Sequence, residues 1–114
     1  MALIRYKYNG KEEVSSDVTV TTTAESSQFT QNSGEVRLSI YVVGDETGKR
    51  VIGENVYITL IEGNVSYLST KSNSIGEFDL VELDTANGTM KGNFEILYKL
   101  EGGDKLIKSA KFES

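Results

Sequence analysis

The sequence predicts an all-β fold, an antiparallel sandwich, and three observations carry that prediction. Val, Ile and Thr, which favour the pleated strand, contribute 10, 8 and 10 of the 114 residues. Apolar residues recur with period two in short runs, and turn residues interrupt the runs roughly every 8–12 positions. No window holds a sustained i, i+3, i+4 apolar stripe, so little or no helix is expected.

Taken in order, residues 2–8 (ALIRYKY) precede Asn9-Gly10 and then KEEVSSDVTVTTT. An Asn-Gly dipeptide between strand-like runs is the strongest short hairpin signal, so residues 2–8 and 11–23 are expected to pair. A two-residue type I′ loop sets Tyr8 opposite Lys11, Lys7 opposite Glu12 and Arg5 opposite Val14. The return strand is mostly Ser, Thr, Asp and Glu, so the apolar face of Ile4, Tyr6 and Tyr8 finds no match across the hairpin. With Leu3 it forms a candidate contact surface. Residues 24–34 (AESSQFTQNSG), polar apart from Phe29, read as a long loop or hinge.

From Glu35 the pattern turns regular. Val36, Leu38, Ile40 and Val42 alternate with Arg37, Ser39 and Tyr41, and a Gly44–Gly48 turn ends the run. Val56, Ile58 and Leu60 share one face of the next strand, a Glu62-Gly63-Asn64 turn follows, and VSYLST returns. Lys71 to Gly76 reads as a polar turn, with Phe78 and Leu80 opening another strand. Ala86-Asn87-Gly88 precedes a strand carrying Phe94, Ile96, Tyr98 and Leu100 on one face, and Gly102-Gly103-Asp104 turns into KLIKSAKF. The expected organisation is an N-terminal hairpin or arm with its polar connection over 1–34 and a sandwich over 35–114.

The stretch from Val36 to Leu80 resembles the immunoglobulin-like and transthyretin-like modules of surface proteins, carboxypeptidase regulatory-like domains and phage structural proteins. The residues that carry the likeness are VRLSIYV, the turn GDETGKRVIGENV leading into YITL, and TKSNSIGEFDL. The resemblance implies an immunoglobulin-like antiparallel β-sandwich with an extra N-terminal β-hairpin. It also implies that Gly76 turns the chain so that Phe78 enters the core, and that Gly92 with Phe94, Ile96 and Tyr98 forms the closing strand. The likeness carries no catalytic residues. The chain departs from the pattern at Gly53, where such modules often have proline, and the first 34 residues have no counterpart in the basic module.

The chain has no Cys and no His, which excludes thiol nucleophiles, Ser-His-Asp triads, imidazole bases and disulfide frameworks. Net charge is −5 with the two signs interspersed, so no nucleic-acid partner is expected. Met1–Gly10 carries Arg5 and Lys7 within its apolar run and reads as neither signal peptide nor targeting helix; no membrane insertion is expected.

Asp45, Glu46, Asp79, Glu82 and Asp84 supply carboxylates, but no spacing singles out a glycosidase pair, and that reading is rejected. Calcium ligation by Asp45, Glu46 and Thr47, or by Asp84 and Asn87, lacks the regular loop spacing; Asp and Asn are ordinary turn residues. An intramolecular Lys–Asn isopeptide, known in related adhesin modules, would need Lys71, Lys99 or Lys105 with Asn93, and its motif is not visible. Asn64-Val65-Ser66 and Asn87-Gly88-Thr89 match the N-glycosylation pattern in expected turns. Among the six tyrosines, Tyr98 belongs to the core pattern; Tyr41, Tyr57 and Tyr67 fall on faces opposite, or nearly opposite, the core residues of their strands.

The expected function is therefore contact, without enzymatic activity or cofactor. The chain reads as a structural or interaction module of a repetitive virion, extracellular or cell-surface assembly. Its partners would be proteins, including copies of itself, met through the N-terminal arm and the sheet edges. The alternative is a carbohydrate- or ligand-binding accessory domain that stacks sugars on Tyr41, Tyr57 or Tyr67.

Overall fold

The structure, a computed structural model, describes residues 2–114. Eleven strands run in chain order: β1 (Leu3–Tyr8), β2 (Lys11–Ser15), β3 (Val18–Thr22), β4 (Ser26–Gln31), β5 (Val36–Val43), β6 (Gly48–Arg50), β7 (Val56–Glu62), β8 (Val65–Leu68), β9 (Ser74–Asp84), β10 (Thr89–Tyr98) and β11 (Lys105–Glu113). They form a six-stranded sheet in the order β2-β1-β11-β10-β9-β6 and a five-stranded sheet in the order β3-β4-β5-β7-β8. Every strand pairing is antiparallel, and no helix occurs among the described residues. The two sheets pack their apolar faces on one another, which is the sandwich the alternating pattern predicts.

The first hairpin forms in the expected register, with Tyr8 opposite Lys11, Lys7 opposite Glu12 and Arg5 opposite Val14. Asn9 and Gly10 both have positive φ (47° and 88°), as a type I′ turn requires. The rest of the return strand departs from expectation. The chain breaks at Ser16-Asp17 and crosses to the other sheet, where β3 pairs with β4.

Residues 24–34 are likewise no loop. β4 alternates inward Ser27, Phe29 and Gln31 with outward Gln28 and Thr30, and pairs with β3 and β5. With two of its three inward positions polar, this strand hides from a hydropathy pattern. Phe29 is fully buried and meets Phe112 of the opposite sheet at 5.2 Å between ring centroids. Phe112 also contacts Phe78 and Phe94 at 5.7 and 6.2 Å, so the chain's four phenylalanines form one cluster across the sandwich.

The expectation that Ile4, Tyr6 and Tyr8 form an uncovered contact face is corrected. β1 lies inside the six-stranded sheet between β2 and β11, and these side chains are 0%, 1% and 8% exposed. What covers them is the five-stranded sheet: the Tyr6 hydroxyl donates to Gln31 Oε1 and the Tyr8 hydroxyl to Glu62 Oε2. Residues 1–34 therefore contribute strands to both sheets.

Gly76 also does something other than turn the chain. It sits within β9, where a Cβ would come 2.1 Å from the Glu95 carbonyl oxygen, so glycine allows close backbone approach there. Phe78 does enter the core.

Candidate functional site

With the core closed on itself, the surfaces open to a partner are the outer faces of the two sheets and their edges. The two faces differ sharply in chemistry. On the five-stranded sheet, strand alternation and register place Thr21, Gln28, Tyr41 and Tyr57 in one cross-strand row. Thr19, Thr30, Ser39, Thr59 and Leu68 form the next row, and Arg37, Ile61 and Ser66 the one beyond. No outward position within these strands holds a carboxylate, and Arg37 is the one cation there, with its Nη2 donating to the Gly63 carbonyl at 3.1 Å; Asp17 and Glu35 border the face just beyond the strand ends. Gln28 Nε2 donates to Ser39 Oγ, and Thr30 and Ser39 share a hydroxyl contact at 3.3 Å, so the polar groups bond along the surface.

Tyr41 and Tyr57 stand directly opposite each other, their rings 6.4 Å apart and tilted by 49°. Tyr41 is exposed, and Tyr57 is half-buried with its hydroxyl donating to the Glu54 carbonyl. Tyr67 does not join them. It pairs with Leu60 on the inward side of β8 and packs against the core margin, a correction that follows from the register of β7 and β8.

At that margin Tyr67, Tyr8, Glu62 and Lys105 form a polar plug. Lys105 Nζ lies 3.0 Å from Glu62 Oε1 and 5.9 and 5.7 Å from the ring centres of Tyr8 and Tyr67. The Lys105 ammonium, helped by the Tyr8 hydroxyl, holds the Glu62 carboxyl below its usual range. In return, the carboxylate raises Lys105, while burial raises the Tyr8 hydroxyl. The plug closes one end of the sandwich and its members are spent on each other.

The outer face of the six-stranded sheet is charged, and its charges are sorted. Lys7 stands directly opposite Lys108, and Arg5 opposite Lys111, on neighbouring β1 and β11. Glu77 stands opposite Glu95, and Asp79 opposite Asn93, on neighbouring β9 and β10. In these two rows cations thus occupy β1 and β11 and carboxylates β9 and β10; the next row reverses the order, with Glu113 on β11 paired to Lys91 on β10, and on the flanking strands Glu12 stands opposite Lys7 and Lys49 opposite Asp79. Leu3, a predicted contact residue, lies half-buried at the cationic margin, beside a shallow trough of about 420 Å³ that Arg5, Lys91 and Lys111 also border. At the opposite end of the strands Leu106, Leu97 and Ile75 form an apolar cross-strand row, with Ile75 62% exposed. Single-sequence reading missed this sorting because Arg5 and Lys111 lie 106 positions apart and meet only through the register.

The remaining candidates resolve locally. The Asp84 carboxylate accepts bonds from the Asn87 side chain and from the Asn87 and Ala86 amides, which tie its oxygens into a turn and hold it below its usual range. No cluster of three or more metal-ligating side chains occurs among the described residues. Lys71 and Lys105 pair with Glu54 and Glu62, and Asn93 sits exposed between Lys111 and Asp79. Asn64 and Asn87 are exposed in turns. No family model, no curated protein and no solved structure matches the chain.

Proposed function

We propose that this chain is a non-enzymatic structural and interaction module of a repetitive extracellular or virion assembly, built on an immunoglobulin-like or transthyretin-like sandwich and making its contacts through sheet faces and edges. The observation that carries the reading is the outer face of the five-stranded sheet, whose outward strand positions hold no carboxylate. In a chain that is 25% charged, a broad surface of Thr, Ser, Gln and Tyr side chains costs less to desolvate than a charged one, and exposed Tyr41 against half-buried Tyr57 supplies the aromatic groups that interface cores favour. Short edge strands such as β6 and β8 leave further backbone groups for pairing with another chain.

Sedimentation velocity over a wide concentration range tests this. The wild-type chain is expected to form species heavier than a dimer, and Tyr41→Glu with Tyr57→Glu to remove them while leaving circular dichroism unchanged. Association that ignores the double variant would overturn the assignment of this face.

A second reading, a carbohydrate-binding accessory domain, draws on the same two tyrosines. Stacking on a sugar ring favours a coplanar aromatic platform, and the 49° tilt supports the protein-contact reading better. Binding of the wild-type chain to insoluble polysaccharides, lost in the same double variant, would reverse that preference.

A further inference from the structure

We infer that the outer face of the six-stranded sheet is a self-complementary interface for a second copy of this chain, related by a two-fold axis parallel to the strands and lying between β10 and β11. The inference rests on the interaction-module reading above and names one partner for it. The carrying observation is the sorting of charge in two adjacent rows: Lys7 and Arg5 on β1 with Lys108 and Lys111 on β11 lie on one side of the β10–β11 boundary, and Glu95 on β10 with Glu77 and Asp79 on β9 lie on the other.

Such an axis lays β10 of the second copy over β11 and its β9 over β1, and keeps every cross-strand row at its own height. Lys108 then faces Glu95 of the second copy, and Lys7 faces its Glu77. One row along, Arg5 faces Asp79, and in the row beyond Glu113 faces Lys91. The apolar row falls on itself, with Leu106 over Leu97. The other in-plane two-fold, perpendicular to the strands, sets cations on cations and is excluded by repulsion. Sheets stacked face to face keep their strands within about 30° of each other, so contact is closest on the four central strands that carry these pairs.

The isolated chain bears a cost that this arrangement relieves. Like charges directly opposite on adjacent strands repel, and the face holds Lys7 against Lys108, Arg5 against Lys111 and Glu77 against Glu95. Within the described residues, Lys7, Lys108 and Lys111 have no ion-pair partner, and Arg5 has only an exposed contact with Glu12 at 3.7 Å. A second copy supplies the opposite charge to Lys7, Lys108 and Arg5, and sets Lys111 over the neutral Asn93 beside Asp79. Being made at the surface, these pairs are screened within about 8 Å at physiological ionic strength, so the dimer is expected to weaken as salt rises.

The test exchanges the charges. Lys7→Glu with Lys108→Glu makes the row through Lys7, Lys108, Glu95 and Glu77 wholly anionic, and Glu77→Lys with Glu95→Lys makes it wholly cationic. In low salt, with the other face blocked by Tyr41→Glu and Tyr57→Glu, the chain is expected to sediment as a reversible dimer, each charge-reversed double variant on that background as a monomer, and their equimolar mixture as a heterodimer. The register is read separately, because the chain has no cysteine of its own. Leu97→Cys mixed with Leu106→Cys is expected to give the disulfide-linked mixed dimer at least tenfold faster than either alone. A blocked chain that is monomeric at millimolar concentration in low salt, a mixture that stays monomeric, or equal cross-linking in all three samples would each overturn the inference. Association of the wild-type chain that falls to monomer with Tyr41→Glu and Tyr57→Glu alone would sink this interface and leave the interaction-module reading standing.

Discussion

The Tyr6 hydroxyl donates to Gln31 Oε1 at 2.8 Å, and this buried bond ties β1 of one sheet to β4 of the other. Gln31 is fully satisfied: Oε1 also accepts the Leu38 amide, and Nε2 donates to the carbonyls of Ser33 and Val36. Tyr6→Phe removes one donor from this node and is expected to cost about 0.5–1.5 kcal/mol, the net worth of one hydrogen bond, because Oε1 keeps the Leu38 amide. Gln31→Leu strands the buried Leu38 amide and leaves the Tyr6 hydroxyl with the Val36 carbonyl alone, and should cost more than Tyr6→Phe. Urea denaturation of both variants beside wild type measures the difference; equal stabilities would mean that the node does not couple the sheets.

Deleting residues 1–23 is expected to unfold the chain, in contrast to what a detachable arm would do. The deletion takes Ile4, Tyr6 and Tyr8 out of the core and leaves β11 without its β1 partner. At about 1.5–3 kcal/mol for each large buried side chain, the loss is roughly 6 kcal/mol, comparable to the whole stability of about 5–15 kcal/mol typical of a small domain. Far-UV circular dichroism and amide dispersion in NMR report the outcome. A truncated chain with native spectra would restore the arm.

Which elements the sequence announces follows from where their information lies. The first hairpin is legible down to its register, because Asn9-Gly10 is adjacent to both strands and admits one turn type. β5, β7 and β10 are legible because their inward positions are nearly all apolar. β4 is not, since Ser27 and Gln31 occupy inward positions and leave Phe29 as the single apolar signal. The crossing at Ser16-Asp17 and the pairing of β1 with β11 are set by tertiary packing between distant residues, which a local period does not encode. The same holds for the candidate surfaces. Tyr41 and Tyr57 were visible as outward tyrosines, whereas Tyr67 was misplaced because four residues of β8 give alternation too little length to choose a face.

Gly76→Ala and Gly92→Ala are expected to destabilise the sandwich although neither glycine needs a positive φ. A Cβ on Gly92 would lie 2.6 Å from the Phe112 ring and 2.7 Å from the Asp79 carbonyl oxygen. Both the packed ring and the Asp79 backbone must give by a few tenths of an ångström, so that substitution should cost about 1–3 kcal/mol, the usual range for overpacking. At Gly76 the obstacle is backbone, the Glu95 carbonyl oxygen at 2.1 Å, and β9 must part from β10 to admit a methyl group. Its cost should therefore exceed that of Gly92→Ala. Thermal melts of the two variants rank them, and a Gly76→Ala protein as stable as wild type would show that the sheet yields there.

The pH profile of stability follows from the polar plug and the buried tyrosines. Glu62 is depressed in the fold by Lys105, so its contribution is complete above the ordinary value of 4.5 and is lost as pH falls through the lower folded value. Lys105 is raised, and its contribution holds below the ordinary value of 10.5 and fades as pH climbs through the higher folded one. Burial raises the hydroxyls of Tyr6, Tyr8 and Tyr98 above 10, so the fold also weakens once an unfolded tyrosine would ionise. With no histidine, no imidazole titrates between these limits. Urea midpoints measured from pH 3 to 11 are expected to stay level through the neutral range, with an acid and an alkaline decline. Glu62→Gln should shrink the acid decline to what Asp84 contributes and leave most of the alkaline one, because Tyr6 and Tyr98 still titrate; an unchanged acid limb in that variant would place the acid sensitivity elsewhere.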